Sequence, residues 1–248
     1  MTRLALLADI HGNLPALEAV VADIAAHQIA RVVNLGDHAS GPLWPAETVA
    51  FLMRQPGWVQ IAGNHDRALA MDDPATHSAS DRYAFERLTR PQMEWLARLP
   101  ATARVSDDIL LCHGTPTDDL MPLLETVEAG RFRLAREEEI VRRLSGAEAH
   151  VVACGHTHAP RLVRRSAGML LINPGSVGLQ AFTDVADEPY RGETGSPHAR
   201  YAILDGDGPD WRVTFHAVPY DHPAAVRQAE RSGSRERAAW LRTGYTCD

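Results

Sequence analysis

Six apolar runs in this chain show almost no alternation of polar and apolar residues. They are 4-LALLAD-9, 31-RVVNLGD-37, 58-WVQIAGN-64, 109-ILLCHG-114, 150-HVVACGH-156 and 169-MLLINPG-175. A strand with one wet face must alternate, because successive side chains point to opposite sides of the sheet. Runs this uniform, short and rich in β-branched residues suit strands covered on both faces. That requirement points to an α/β arrangement with layers on either side of a sheet. Helix-period segments lie between the first three runs. In 14-LPALEAVVADIAAH-27, Asn13 is placed to cap and Pro15 suits the first turn. A second helix follows at 45-PAETVAFLMRQ-55. The first third therefore reads β-α-β-α-β.

Residues 72–100 carry no strand signal and read as a helical insert, with helices expected at 80–90 and 91–99. A polar loop is expected from 115 and a helix from about Phe132 to Leu144. Residues 200–218 read as an antiparallel hairpin, 183–198 as a polar loop, and about 221–244 as two surface helices that each end near glycine. Nothing in the pattern marks a linker or a repeat, so a single domain spanning 1–248 is expected.

Composition narrows the partners. The formal charge is −7 over 248 residues, and all 25 basic residues are arginine. Long nucleic acids and anionic membranes call for a basic face that this balance does not supply. No apolar run approaches the ~18 residues of a membrane span, and Asp9 and His11 interrupt the N-terminal run, so a cytoplasmic location is expected. Without lysine, P-loop and Schiff-base chemistries have no nucleophile or phosphate ligand. Three cysteines, Cys112, Cys154 and Cys247, form no CxxC pair. That argues against a disulfide framework or a thiolate zinc site, and Cys112 and Cys154 are expected in the core.

The polar residues cluster at the ends of the apolar runs. The sequence reads Asp9-Ile10-His11, then Gly36-Asp37, Gly63-Asn64-His65-Asp66, His113-Gly114 and Gly155-His156-Thr157-His158. In an open α/β sheet, ligands bind outside the carboxyl ends of the strands. One such motif alone means little; five in succession bring carboxylate, amide and imidazole to one edge. Two divalent ions held ~3.5–4 Å apart need a bridging anion, and Asp37 is the natural bridge. Asp9, His11 and His158 complete one expected site; Asn64, His113 and His156 complete the other. This donor set suits Mn²⁺, Fe²⁺, Ni²⁺, Co²⁺ or Zn²⁺.

These five motifs, in this order, resemble the calcineurin-like metallophosphoesterase superfamily over residues 4 to about 178. The loop 173-NPGSVG-178 also resembles its YfcE-like phosphodiesterase branch of small bacterial and archaeal members. The resemblance implies a four-layer α-β-β-α sandwich of two mixed sheets flanked by helices, with a dinuclear site at one edge. It implies a metal-dependent phosphoric ester hydrolase, with Mn²⁺ the favoured activator. A hydroxide held between the ions would attack phosphorus, and His65, not needed as a ligand, would protonate the leaving group. The catalytic residues expected are thus His65 and Asp37.

Relatives that act on phosphomonoesters have Gly-Asp-x-Val-Asp-Arg-Gly; here 36-GDHASGP-42 places Ser40 and Gly41 where they have Asp and Arg. Ala62 stands where they have arginine before Gly-Asn-His. A dianionic monoester gains most from bidentate arginines, so small phosphodiesters or nucleotides are the expected substrates. Arg67 or an arginine of the insert remains able to fill the gap. The alternatives are a phosphomonoesterase or protein phosphatase, or a scaffold like the superfamily's retromer subunit, which lacks the Gly-Asn-His histidine. His38 faces either the substrate pocket or the surface on this reading. Asp118 and Asp119 are expected to be solvated, and Trp44 and Trp240 exposed.

Overall fold

A computed structural model describes residues 2–184, 189–206 and 210–246. Cys247, residues 207–209 of the expected hairpin turn and 185–188 of the expected 183–198 loop lie outside the described residues. The chain begins with β1 (Thr2–Leu7), α1 (Leu14–Ala26), β2 (Arg31–Asn34), α2 (Pro45–Met53), β3 (Val59–Gln60) and α3 (Asn64–Met71). The insert follows as α4 (Ala79–Phe85) and α5 (Arg90–Leu96). Next come β4 (Thr102–Ser106), β5 (Ile109–Cys112), β6 (Glu125–Glu128), β7 (Arg131–Leu134), α6 (Glu137–Leu144) and β8 (Val151–Ala153). The remainder is β9 (Arg161–Arg164), β10 (Leu170–Asn173), β11 (Ala181–Asp184), β12 (Tyr190–Glu193), β13 (Ala199–Gly206), β14 (Arg212–Val218), α7 (His222–Arg231) and α8 (Arg235–Thr243).

Two five-stranded mixed sheets form the centre, in the orders β14-β13-β1-β2-β3 and β4-β5-β8-β10-β9. Their inner faces meet through Leu4, Leu6, Val33 and Leu35 on one side and Ile109, Leu111, Val151 and Ile172 on the other. The outward residues Ala5 and Leu7 pack beneath Leu17, Val20 and Ile24 of α1. Likewise Leu110, Val152 and Leu171 pack beneath Ile140 and Leu144 of α6. The order of layers is helix, sheet, sheet, helix, as expected. It explains the missing alternation: each of these strands is buried on both faces.

A third sheet, β11-β12-β7-β6, was not anticipated. Its strands occupy the stretches expected as the 115–131 loop, the first turn of the 132–144 helix and the 183–198 loop. The expected helix starts only at Glu137, because Phe132 and Arg133 pair with Val127 and Thr126 across an antiparallel hairpin. Its three acidic residues, Glu137 to Glu139, suit a helix N-terminus.

The C-terminal helices do not merely lie on the surface. Ala225, Val226 and Ala229 of α7 pack with Ala238 and Leu241 of α8 around Leu43, with Trp44 half-buried against them. Trp240 is buried against Leu179 and Ala181. The two tryptophans expected to be exposed therefore dock this helical hairpin onto the sandwich. Cys112 and Cys154 are buried in the core as expected. No helix among the described residues is long and apolar enough to cross a membrane.

Candidate metal centre

β1, β2 and β3 run parallel, as do β5 and β8, so their carboxyl ends share an edge. Five residues beyond those ends adopt the left-handed backbone: Asp9 (φ 56°), His11 (50°), Asp37 (58°), His156 (71°) and His158 (58°). Non-glycine residues rarely accept that geometry, at a cost of ~1–3 kcal/mol each. Only three other non-glycine residues among those described share it, so the strain is concentrated where the motifs converge.

The loop 173–178 braces this edge. Asn173 Nδ2 donates to the Gly155 carbonyl (2.7 Å) and to Thr157 Oγ1 (3.0 Å). Ser176 Oγ donates to the Asp9 carbonyl at 2.7 Å, and so does the Gly178 amide at 3.0 Å. Gly178 admits no larger residue, since a methyl group there would overlap the Ile10 carbonyl oxygen.

All seven residues expected as ligands come together. One cluster holds Asp9, His11 and His158; a second contains Asp9, Asp37 and His113. Asn64 Oδ1 joins the second, 3.0 Å from His113 Nε2 and 3.1 Å from His156 Nδ1. Asp37 Oδ2 lies 3.3 Å from His113 Nε2 and 3.8 Å from His11 Nε2, so one carboxylate oxygen faces both groups.

The hydrogen bonds behind the rings set their tautomers. His11 Nδ1 meets the Ser40 carbonyl (2.9 Å), His113 Nδ1 that of Leu35 (2.7 Å) and His158 Nδ1 that of Leu179 (2.7 Å). A carbonyl only accepts, so each Nδ1 carries a proton and Nε2 is the atom each ring turns inward. His11 Nε2 and His158 Nε2 face each other at 3.1 Å. Each also faces a carboxylate, His11 Nε2 that of Asp37 at 3.8 Å and His158 Nε2 that of Asp9 at 3.4 Å. The donor set and its orientation fit divalent metal ions.

The electrostatics agree. Burial holds His11 well below the ordinary imidazole range, with His158 adding to the effect. Burial also opposes the charge on Asp37, yet His113, His65 and His11 hold its carboxyl well below the usual range. His65 is resisted by burial as well, but Asp37 and Asp81 outweigh it and raise the ring to about 9.

His65 stands at the rim, half-buried, its amide donating to Asp37 Oδ1 at 3.0 Å. Its Nδ1 lies 2.8 Å from Asp81 Oδ1. Asp81 is in turn anchored by the Ser78 hydroxyl at 2.5 Å. Sequence reasoning missed Asp81, which comes from the insert and carries no local signal. It also passed over Asp66, the last residue of Gly-Asn-His-Asp. Asp66 accepts the amides of Asp37 (2.8 Å), His38 (3.0 Å) and Gly63 (2.9 Å), and so shapes the turn that presents Asp37. An acidic residue three positions after Gly63, at a helix start, was a readable signal.

Two expectations need correction. His38 faces neither pocket nor surface: it is fully buried, with Nδ1 2.6 Å from Asp66 Oδ2 and its ring edge-on to Trp95. Asp119 is not simply solvated but binds Arg67 through Nε (2.6 Å) and Nη2 (3.1 Å). Asp118 is exposed as expected, and its Oδ1 accepts the Leu120 and Met121 amides, closing the turn of its loop.

The family model for the calcineurin-like phosphoesterase superfamily domain matches residues 2–188, three quarters of the chain. The chain belongs to this superfamily. It is a superfamily of metal-dependent phosphoesterases, in keeping with the clusters above. Among solved structures, a metallophosphoesterase from Sphaerobacter thermophilus superposes with a TM-score of 0.74 at 25% identity, covering 98% of both chains. The hypothetical protein PH1004 from Pyrococcus horikoshii OT3 shares the fold, with a TM-score of 0.75 at 20% identity over the full length of both. The uncharacterized protein MJ0912 of Methanocaldococcus jannaschii is 23% identical over 251 residues, covering 96% of this chain and 95% of its own.

Proposed function

We propose that this phosphoesterase-superfamily chain is a two-metal phosphodiesterase acting on small phosphodiesters or nucleotides. The observation that carries the reading is the position of Asp37 Oδ2, facing His113 on one side and His11 on the other. On this reading Asp9, His11, Asp37 and His158 hold one divalent ion. Asp37, Asn64, His113 and His156 hold the second. Such ions supply a water acidic enough to attack at neutral pH and offset charge on the phosphoryl oxygens. Imidazole, amide and carboxylate donors suit Mn²⁺ and its first-row neighbours.

The remaining work falls to the protein. Asp81 takes the Nδ1 proton of His65, so the proton for the departing oxygen is carried on Nε2. The Asp81 carboxylate beside Nδ1 favours the protonated ring, and protonated His65 serves as the acid. The missing arginines support a singly charged phosphorus centre. Ser40, Gly41 and Ala62 stand at the motif positions, and Arg67 is engaged by Asp119 and Asp72.

The test compares bis-p-nitrophenyl phosphate with p-nitrophenyl phosphate on Mn²⁺-loaded protein, for wild type and His65→Asn. The diester is expected to turn over faster. His65→Asn is expected to lose about 10²–10⁴-fold in turnover while keeping its metal. Turnover of neither ester with any candidate metal would reject the hydrolase reading in favour of a scaffold. Near wild-type turnover by His65→Asn would remove the acid from the mechanism.

A further inference from the structure

α8 brings to the neighbourhood of His65 one cation that the fold leaves without a carboxylate. Arg237, half-buried in the first turns of α8, donates from Nη2 to Ser80 Oγ at 3.0 Å. Ser80 directly precedes Asp81, which holds His65. The guanidinium carbon also lies 5.5 Å from the Trp240 ring centroid, which steadies the side chain. Burial pulls the Arg237 pKa down to about 10, so the group stays charged at neutral pH.

Several other arginines are held by carboxylates. Arg133 is bound by Glu139, Arg131 by Glu193, Arg161 by Glu125 and Arg67 by Asp119. Among the described residues Arg237 has no carboxylate within ion-pair distance, and one serine hydroxyl satisfies only one of its five N–H groups. None of its nitrogens is both buried and unpaired, so the remaining N–H groups are open to solvent or to a ligand. Beside a phosphoester centre, an oxyanion is the natural partner, and a planar fork meets carboxylate or phosphate oxygens well.

We propose that Arg237, seated on Ser80, forms a subsite for an oxyanion carried by the leaving half of a phosphodiester substrate. The side of the centre is set by His65. This step rests on the reading above, in which His65 protonates the departing oxygen. The leaving group must then lie beside His65, whose partner Asp81 adjoins the Ser80 that holds Arg237. The sequence motif lost its arginines near the phosphorus, and α8 supplies one further out. The substrate class that follows is a diester whose leaving alcohol bears a carboxylate or a second phosphate. A purely structural Arg237 would pin α8 to α4 through Ser80. Removing it would then change stability without changing preference for charge on the substrate.

The experiment uses 4-carboxyphenyl methyl phosphate and 4-carbamoylphenyl methyl phosphate, whose leaving groups match in size and differ by one negative charge. The quantity read is the ratio of their kcat/KM values, in wild type, Arg237→Met and Arg237→Lys. Wild type is expected to favour the carboxylate about tenfold, mostly through KM. Arg237→Met should bring the ratio to about one, and Arg237→Lys, which keeps charge but not the fork, should retain part of it. A wild type without preference, or an Arg237→Met protein that keeps it, overturns the subsite. If neither ester is hydrolysed with any metal, the phosphodiesterase reading has failed. Calorimetric binding of 4-hydroxybenzoate against 4-hydroxybenzamide then decides the subsite separately. Discrimination lost in Arg237→Met supports it, and equal discrimination in both proteins overturns it.

Discussion

Asp81 does two things for His65: it holds the Nδ1 proton at 2.8 Å and, with Asp37, raises the affinity of the ring for its second proton against the effect of burial. Asp81→Asn keeps an oxygen for the first task and loses the charge needed for the second. The expected result is a fall in kcat of about 10–100-fold with unchanged metal content, measured beside His65→Asn. The sign of the pH effect follows. His65 must be protonated to act as the acid, and removing a carboxylate lowers its pKa. The alkaline limb of the kcat profile should therefore move to lower pH in Asp81→Asn; an unmoved limb would assign that limb to another group. At this scale the convergence of the seven expected ligands was legible, because a strand end followed by glycine and a metal-binding side chain is a local pattern. Asp81 was not legible, because it meets His65 only through the packing of the insert on the sandwich. The left-handed backbone at Asp9, His11, Asp37, His156 and His158 was equally hidden, since nothing in these residue types demands it.

The third sheet shows why short elements escaped notice. Its strands are four residues long, and 125-ETVE-128, 131-RFRL-134 and 190-YRGE-193 carry charges on either side of a few apolar residues. Nothing in such a stretch separates strand from polar loop until its partners are known. Arg131 paired with Glu193 across β7 and β12 is information about pairing, not about sequence. The sheet matters for the centre because β6 carries Glu125. This buried carboxylate accepts from Thr157 Oγ1 (2.9 Å), within the motif that bears His156 and His158, and from Arg161 Nε (3.2 Å). Burial raises Glu125 from its ordinary value near 4.5 to about 7, although Thr157 and Arg161 pull the other way. A carboxyl with a raised folded pKa binds more protons folded than unfolded between those two values. Its linkage therefore makes stability fall as pH rises from about 4.5 through about 7. Glu125→Gln removes that contribution. Relative to wild type, the variant is expected to gain roughly 1–3 kcal/mol between pH 4.5 and pH 8 in denaturant unfolding. A stability difference between the two proteins that is flat with pH would show that Glu125 is ionised throughout.

On the scale of the whole molecule, the sandwich itself was readable: strands buried on both faces have to be covered by sheet on one side and helix on the other. What the sequence could not convey is how much buried charge this architecture gathers at one edge. Asp9 and Asp37 are essentially buried, as are His11, His113 and His158, and all belong to loops leaving the two facing sheets. Without cations the two carboxylates rely on imidazole protons, and only one proton fits between the facing Nε2 atoms of His11 and His158. The folded protein should therefore bind divalent ions far better than the unfolded chain, where these residues are far apart. Ions that bind only the folded form stabilise it by RT ln(1 + [L]/Kd), which is ~2.7 kcal/mol for one site at a hundredfold excess over Kd. For a chain of 248 residues, each kcal/mol moves the unfolding midpoint by roughly 2–4 °C. Chelation is thus expected to lower Tm by about 5–10 °C, and returning Mn²⁺ should restore it. Asp37→Asn should respond much less to either treatment, because it weakens both clusters at once. His65→Asn should respond as wild type does. Scanning calorimetry of the three proteins with and without chelator separates the roles: a chelator-insensitive wild type would mean that the edge is held by protons rather than metal. A loss of the response in His65→Asn would make that histidine a ligand and not the acid.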